Sequence, residues 1–216
     1  MALQLPNRRT MASLGVFLVA VVSSVIVAPS LPERLTTHWN AAGTPDETMS
    51  KQVVLLGGPA IVLGLVVFFE LIPRIDPLAE NITAFQDAYD SLAVVLVAFM
   101  AYAYGFVLAW NLGYQVAIEQ VLAPGIAVVY LAVGFLLERA ERNWFIGIRT
   151  PWTLSSDTVW RHTHDRTAPL FKLSGLIALS SLLFPSYFVY FIAGPAAAIA
   201  LFATVYSYID YRRVEN

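Results

Sequence analysis

Six apolar runs, each near the length of a membrane-spanning helix, are the feature that most restricts how this chain can fold. An α-helix rises about 1.5 Å per residue, so about 20 apolar residues cross a hydrocarbon core of about 30 Å. The fifth run is the shortest and reaches this length only marginally. The runs predict an all-α polytopic membrane protein with six transmembrane helices, at residues 11–31, 52–72, 91–110, 116–137, 169–184 and 187–208.

Charged residues are scarce and unevenly placed. They make up 13% of the 216 residues, whereas a soluble domain contains about 25%. With six crossings, eleven of the 13 lysines and arginines fall on one side, and only Arg34 and Lys51 fall on the other. Cytoplasmic loops are enriched in lysine and arginine, so both termini and residues 143–166 are predicted to be cytoplasmic. Residues 32–51 then lie outside, and the predicted location is the cell (cytoplasmic) membrane.

The first apolar run follows a short polar leader, residues 1–10, that contains Arg8 and Arg9. This run is longer than the apolar region of a typical signal peptide, and the Val-Ala-Pro-Ser sequence at its end is a poor cleavage site. We therefore expect it to be retained as the first helix.

Residues 32–51 form the first of two long polar stretches. Their prolines and Gly43 indicate an ordered loop with tight turns rather than a helix. His38, Asp46 and Glu47 offer ligand atoms for a divalent ion, but their spacing matches no known metal motif, so no metal site is predicted. Two interpretations remain open: a rigid loop with Trp39 seated at the membrane interface, or a surface that recognises a partner.

Residues 143–166 form the second polar stretch, with three of the five tryptophans and two of the three histidines. Because Pro151 restricts the residue before it, Arg149 to Trp152 is predicted to be a turn. Ser155 or Ser156 is then expected to cap a short helix. His162 and His164 lie two residues apart, which places them on different helix faces and disfavours a shared metal ion.

The second stretch also has two open interpretations. One is a cytoplasmic interfacial hairpin anchored by its tryptophans. The other is a docking surface for a soluble partner or a lipid head group, in which Arg149 offers a bidentate guanidinium.

A glycine–proline pair occurs in each even-numbered run, and proline inside a helix removes a backbone hydrogen bond and bends the helix. Glycine and proline are common in membrane helices, so the pairs can be incidental; alternatively, three bent helices line an outward-opening cavity. The pairs are Gly58-Pro59, Pro124-Gly125 and Gly194-Pro195.

Two carboxylates lie near the ends of apolar runs, Glu70 at the predicted inner end and Glu119 at the predicted outer end. Charged side chains in such positions are typical of an ion path or a buried pair, although both are close enough to an interface to be solvated. They support an alternative function, a small-molecule or ion transporter or channel.

Several function classes are disfavoured. The chain has no cysteine, which removes disulfides and thiolate chemistry. It shows no catalytic triad order, glycine-rich phosphate loop or metalloprotease helix, so no enzyme activity and no cofactor are predicted. A net charge of −2 without a long basic run disfavours direct binding of nucleic acid.

Both polar stretches resemble parts of one family. The first resembles the amino-terminal domain of unknown function with a His-Trp-Asn signature, and the second resembles the carboxy-terminal SdpI-type signature; together they indicate the SdpI immunity-protein family. The positions that match the first signature are His38, Trp39, Asn40, Gly43, Pro45, Asp46 and Lys51. The positions that match the second are Asn143, Gly147, Arg149, Thr150, Pro151, Trp152, Trp160 and His164.

This resemblance implies a multipass helical membrane protein. The founding type protects its producer against a secreted membrane-active peptide toxin and holds a small winged-helix repressor at the membrane. We therefore expect a protein that contacts membrane lipids, binds a peptide or lipid-like ligand through the outer positions and can recruit a regulator through the inner ones. The expected units are residues 1–80, two helices with the outer loop, and residues 81–216, four helices with the cytoplasmic loop.

Overall fold

The computed structural model describes residues 8–214, so the leader residues 1–7 and the last two residues of the expected second unit lie outside the described part of the chain. It is a helical protein with one short hairpin at one end. The elements in chain order are α1 (Arg8–Val27), β1 (Arg34–Trp39), β2 (Pro45–Ser50), α2 (Lys51–Ile75), α3 (Ala79–Ala84), α4 (Gln86–Asn111), α5 (Ile118–Leu137), α6 (Pro151–Ser155), α7 (Asp157–Ser180) and α8 (Phe188–Val214).

Five of these helices are long and apolar enough to cross a membrane: α1, α2, α4, α5 and α8. The expected all-α, polytopic fold is therefore confirmed, and their exposed apolar side chains contact lipid. The predicted fifth crossing, residues 169–184, falls in α7, which does not meet the same criterion. The first half of α7 carries Asp157, Arg161 and Arg166, so the count of six crossings is not established by hydropathy.

The helix α7 also corrects a boundary. A short capped helix and a separate fifth crossing were expected, but the two are one continuous helix of 24 residues. Ser156 caps it, as expected for one of the two candidate serines, because its side chain accepts a hydrogen bond from the Val159 N–H. The second half of α7 packs on α5, where Gly134 faces Ala168 and Gly175 faces Ala127. The polar first half continues past the end of α5 and runs beside the end of α8.

The helix α4 lies between two groups of helices. On one side it packs with α1 and α2 around a core that includes Val62, Val97 and Tyr104. On the other side α4 packs against α5, and α5 in turn packs against α7 and α8. The expected boundary at residue 80 assigns α4 to the second unit, and this boundary stays a prediction because α4 contacts both groups.

The three glycine–proline pairs do not share one cavity. Gly58 receives the ring of Tyr104, and Gly125 receives that of Phe99, so each glycine admits an aromatic side chain of α4 against a neighbouring helix. Gly58 and the Pro124-Gly125 pair line different surface grooves, and a Cβ on Gly194 would meet nothing within 4 Å. The outer cavity described below is lined by none of them.

Residues 32–51, expected to be a loop with tight turns, contain the antiparallel hairpin of β1 and β2. The turns are present, but the strands were not anticipated.

Candidate functional site

The hairpin turn is built by two of the matched outer residues. The Asn40 side-chain oxygen accepts hydrogen bonds from the N–H groups of Ala42 (2.9 Å) and Thr44 (3.1 Å). Gly43 has a φ of +73°, a conformation that side chains with a Cβ rarely adopt. Asn40 and Gly43 therefore fix the shape of the turn.

The hairpin is fastened to α4 through one amide and one indole. The Asn111 side chain accepts from the Thr36 N–H at 2.8 Å and donates to the Thr36 carbonyl at 3.0 Å, so it pairs with β1 as a strand would. The Trp39 ring packs against Phe106 and Trp110, with centroid distances of 5.0 and 5.3 Å. The interpretation that Trp39 seats a rigid segment agrees with these contacts.

Two further matched residues serve the hairpin itself. Lys51 forms an ion pair with Glu33 at 2.9 Å and donates to the carbonyl of Leu31 at 3.2 Å, which ties the base of the hairpin together. Pro45 opens β2 opposite Trp39.

His38 and Asp46 are the matched pair that remains accessible. The His38 Nδ1 lies 2.6 Å from the Asp46 carboxylate, and the two side chains are 59% and 39% exposed. The hydrogen bond to Asp46 and the charge of that carboxylate raise the pKa of His38, with a smaller contribution from Glu47. Within residues 8–214, no group of three or more histidine, aspartate or glutamate side chains is placed to hold a metal ion.

A cavity of about 360 Å³ opens beside this hairpin. Residues 38–43 form one wall, the first residues of α5, Ile118 and Glu119, form a second, and the α7–α8 link with the start of α8 forms the third. It thus brings four matched residues of the hairpin, His38, Trp39, Asn40 and Gly43, against the α5 and α8 helices. We call it the outer cavity.

The inner stretch lies at the opposite end of the helices, and buried Asn143 organises it. Its side-chain oxygen accepts from the N–H groups of Phe145 (3.0 Å) and Ile146 (2.6 Å). Its amide donates to the carbonyls of Glu141 and Ile146, both at 2.9 Å. One fully buried side chain thus makes four hydrogen bonds to backbone groups of the inner stretch.

Gly147, Trp160 and His164 pack as one unit. Gly147 has a φ of +110°, and a Cβ on it would lie 2.6 Å from the His164 Nε2. That nitrogen accepts from the Ile148 N–H at 3.0 Å, while Nδ1 donates to the Trp160 carbonyl at 2.8 Å. This arrangement requires a neutral imidazole, and burial lowers the pKa of His164 to about 4. The Trp160 indole stacks on the imidazole and donates to the Ala140 carbonyl at 2.6 Å.

The expected turn at Arg149 to Trp152 is corrected, because Thr150 is an extended N-cap and the short helix α6 already begins at Pro151. Thr150 accepts from the Thr153 N–H at 3.1 Å, and its hydroxyl contacts Ser207 of α8 at 3.0 Å. Trp152 packs on Tyr208 of the same helix, with a centroid distance of 5.1 Å. These contacts join the inner stretch to the end of α8.

Few matched inner residues are free to meet a partner. Arg149 is exposed and donates to the Trp144 carbonyl at 2.7 Å, and Trp152 is half-buried. His162 pairs with Asp210 of α8 at 2.9 Å, whereas His164 points into the core, so the expectation that the two histidines occupy different faces is confirmed. Most of the signature therefore builds the inner surface, and its accessible part consists of Arg149, Pro151 and Trp152.

The two carboxylates singled out in the sequence lie at opposite ends of the molecule. Glu70 belongs to a buried network in which the Arg9 guanidinium lies 2.7 Å from Glu70 and 3.1 Å from Asp90. Arg9 is only 5% exposed at its side chain. Glu70 is thus part of an ion-paired cluster that joins α1, α2 and α4, and it shares no site with Glu119.

Sequence reasoning missed three positioning residues. Asn111 is a single polar side chain at a helix end, Asp76 accepts from the Trp144 N–H at 2.9 Å, and Asp210 holds His162. A polar residue immediately beside an apolar run is the only signal that marked Asn111 and Asp210.

Comparison with known proteins agrees with this architecture. Residues 139–207 match the model of the SdpI/YfhL protein family, and residues 15–63 match that of a domain of unknown function, DUF1648. The chain is 23% identical to the Immunity protein SdpI of Bacillus subtilis (strain 168) over 210 residues, which are 97% of this chain and 99% of that protein. No solved structure matches it. The five apolar helices and this similarity make it a multipass protein of the cell membrane. The two matched segments, in this order, and the similarity over nearly the whole length confirm that the chain resembles the SdpI/YfhL protein family.

Proposed function

We propose that the protein is an SdpI-like membrane immunity protein that binds a membrane-active peptide in the outer cavity. The similarity to the Immunity protein SdpI supports this class of function. The observation that carries the proposal is the cavity itself, because four of the seven matched outer residues line it. Asp46 holds His38, and Pro45 and Lys51 belong to the hairpin that forms its wall.

The proposed orientation places the hairpin outside and both termini in the cytoplasm. Eleven of the 13 lysines and arginines belong to the hairpin-distal half of this arrangement. Cytoplasmic segments retain such residues, which supports this direction of insertion. The outer cavity then faces the side from which a secreted peptide arrives.

The cavity volume limits what can enter. Small-molecule pockets range from about 300 to 1,000 Å³, so a cavity of about 360 Å³ accepts one or two side chains of a peptide. The remaining length of a membrane-active peptide would lie along the apolar surface of the helices.

The helix α8 offers a route by which occupancy can reach the cytoplasmic side. Its first residues, Phe188 and Val189, line the outer cavity, and its last turns contact Thr150 and His162. A rigid shift of this helix would move both ends together, since a packed helix transmits displacement along its axis. We infer that the accessible inner residues, Arg149 and Trp152, can recruit a cytoplasmic regulator in response.

The test is membrane depolarisation of toxin-sensitive cells that express this protein and are challenged with a panel of secreted membrane-active peptides. Protection is expected with the unmodified protein and is expected to be lost in His38→Ala. His162→Ala, which removes an exposed histidine at the other end, is the matched control and should protect normally. Arg149→Ala should also protect, because its role is assigned to signalling.

Each variant must first be shown to reach the membrane in equal amount. No protection by the unmodified protein against any peptide of the panel would overturn the immunity proposal. If His38→Ala protects as well as the unmodified protein, the proposal that the peptide is recognised in the outer cavity is wrong.

A further inference from the structure

We propose that the outer cavity binds a cationic side chain of its peptide ligand, a guanidinium or ammonium group, with Glu119 as the counterion. This inference rests on the proposed role of the cavity as the ligand site. It adds the chemical class of the group that enters and the residue that selects it.

Glu119 is a partly buried carboxylate that lacks a hydrogen-bond or ion-pair partner among residues 8–214. Its Oε2 lies against the hairpin turn, 3.5 Å from the position that a Cβ on Gly43 would occupy. Glu70 provides the contrast, because it is also partly buried but is satisfied by Arg9 and Thr10. Both oxygens of this carboxylate are free to accept hydrogen bonds, so the site favours a ligand that donates to them.

The charge around the cavity is negative. Its lining contains no lysine or arginine, and its only histidine, His38, is already paired with Asp46. Glu47 lies opposite His38 on β2 and adds a further negative charge nearby. His38 is therefore already paired with its own carboxylate partner, Asp46, whereas the negative charge of Glu119 is left without compensation. A cation entering the cavity gains attraction that an uncharged group of the same shape does not.

Trp39 supplies the second recognition element. Its indole is part of the cavity wall, and aromatic rings attract guanidinium and ammonium groups. Its Nε1–H is buried and has no acceptor in the described part of the chain. A peptide carbonyl beside a basic side chain would provide that acceptor, which favours a peptide over a simple amine.

The test uses the full chain in nanodiscs of phosphatidylglycerol, a lipid whose head group has no amine. The ¹⁵N-labelled indole resonance of Trp39 is identified with Trp39→Phe and followed during titration. The probe is arginine with both ends blocked, as N-acetyl-arginine methylamide, and the matched neutral probe is the corresponding citrulline compound. The arginine probe is expected to shift the resonance saturably, and the citrulline probe is not.

The charge is then removed in place. Glu119→Gln should raise the apparent Kd of the arginine probe by about tenfold or more, the size expected when a hydrogen bond to a charged group is lost. Glu47→Gln removes an outer carboxylate that does not line the cavity and should leave the Kd within about twofold, as exposed charges contribute little. An indole resonance at its original position in each unliganded variant shows that the hairpin is still folded.

Equal responses to the two probes, or an unchanged Kd in Glu119→Gln, would overturn the inference. Replacing the lipid by phosphatidylethanolamine tests the source of the cation: if this lipid alone shifts the resonance and blocks the arginine probe, the site belongs to a lipid head group and the peptide assignment fails. The titration does not depend on protection of cells. Failure of the depolarisation assay with a normal titration would reject immunity and keep the cation site.

Discussion

Asn143→Ala tests the claim that one buried amide holds the inner stretch together. Asn143 is fully buried, accepts two backbone hydrogen bonds and donates two. A net hydrogen bond contributes about 1 kcal/mol, so removing four should lower the free energy of unfolding by about 4 kcal/mol. The membrane cannot compensate for the four lost hydrogen bonds, because their partners are backbone groups inside the inner stretch.

Asn81→Ala is the matched control. Its side chain is half-buried and makes one hydrogen bond, to the carbonyl of the neighbouring Arg142, at 2.6 Å. The expected cost is about 1 kcal/mol, about a quarter of that at Asn143. Both substitutions remove the same atoms, so the difference between them isolates the hydrogen bonds and the burial.

The assay is unfolding in mixed micelles by increasing sodium dodecyl sulfate, followed by far-ultraviolet circular dichroism. Asn143→Asp adds a second constraint: it keeps the two accepted bonds but aims a carboxylate at two carbonyls, so its stability should improve as the pH falls and the group protonates. A cost for Asn143→Ala no larger than that for Asn81→Ala would refute the organising role of Asn143.

Two further predictions concern the same inner core. Gly147→Ala should lower the free energy of unfolding by about 1–3 kcal/mol because of the backbone φ of +110° alone, and by more because of the contact with His164. Gly15→Ala is the control and should not lower it, since a Cβ at this position meets nothing within 4 Å. Equal stabilities of the two variants in the same unfolding assay would contradict this prediction. Because the pKa of His164 is lowered to about 4, the unfolded chain binds more protons below about pH 6.5. The stability contributed by neutral His164 should therefore be fully present above about pH 6.5 and should decrease toward pH 4. The free energy of unfolding, measured as a function of pH, should depend less on pH in His164→Gln.

The helices could be read from the sequence wherever apolar runs alone decide the structure. The five crossings in α1, α2, α4, α5 and α8 follow from length and hydropathy, because lipid imposes both. The continuity of α7 could not be read in this way. Its first half is polar, and its buried face, with Trp160 and His164, is covered by residues 140–148, a segment without regular secondary structure whose path the sequence pattern does not indicate.

The hairpin illustrates a different limit. In β1, Leu35 is buried between exposed Arg34 and half-buried Thr36, but neither strand alternates along its length, so the turn signals dominate this stretch of the sequence. Its position against the helices is set by Asn111, whose partner is 75 residues away. Local propensity contains no information about such a contact, so the cavity could not be predicted, although four of its hairpin residues were expected to bind a ligand.

Most signature residues of this protein build its structure, although four of the outer ones also line the outer cavity. Asn40, Gly43, Asn143, Gly147 and His164 are used to shape two frames, and their roles are hydrogen bonds and close approaches inside each frame. Since Glu119 belongs to neither signature, the charge it places beside His38 can change without altering the fold. It follows that two members with the same signatures can select different peptides, and that exchanging residue 119 between them should move specificity while leaving stability unchanged.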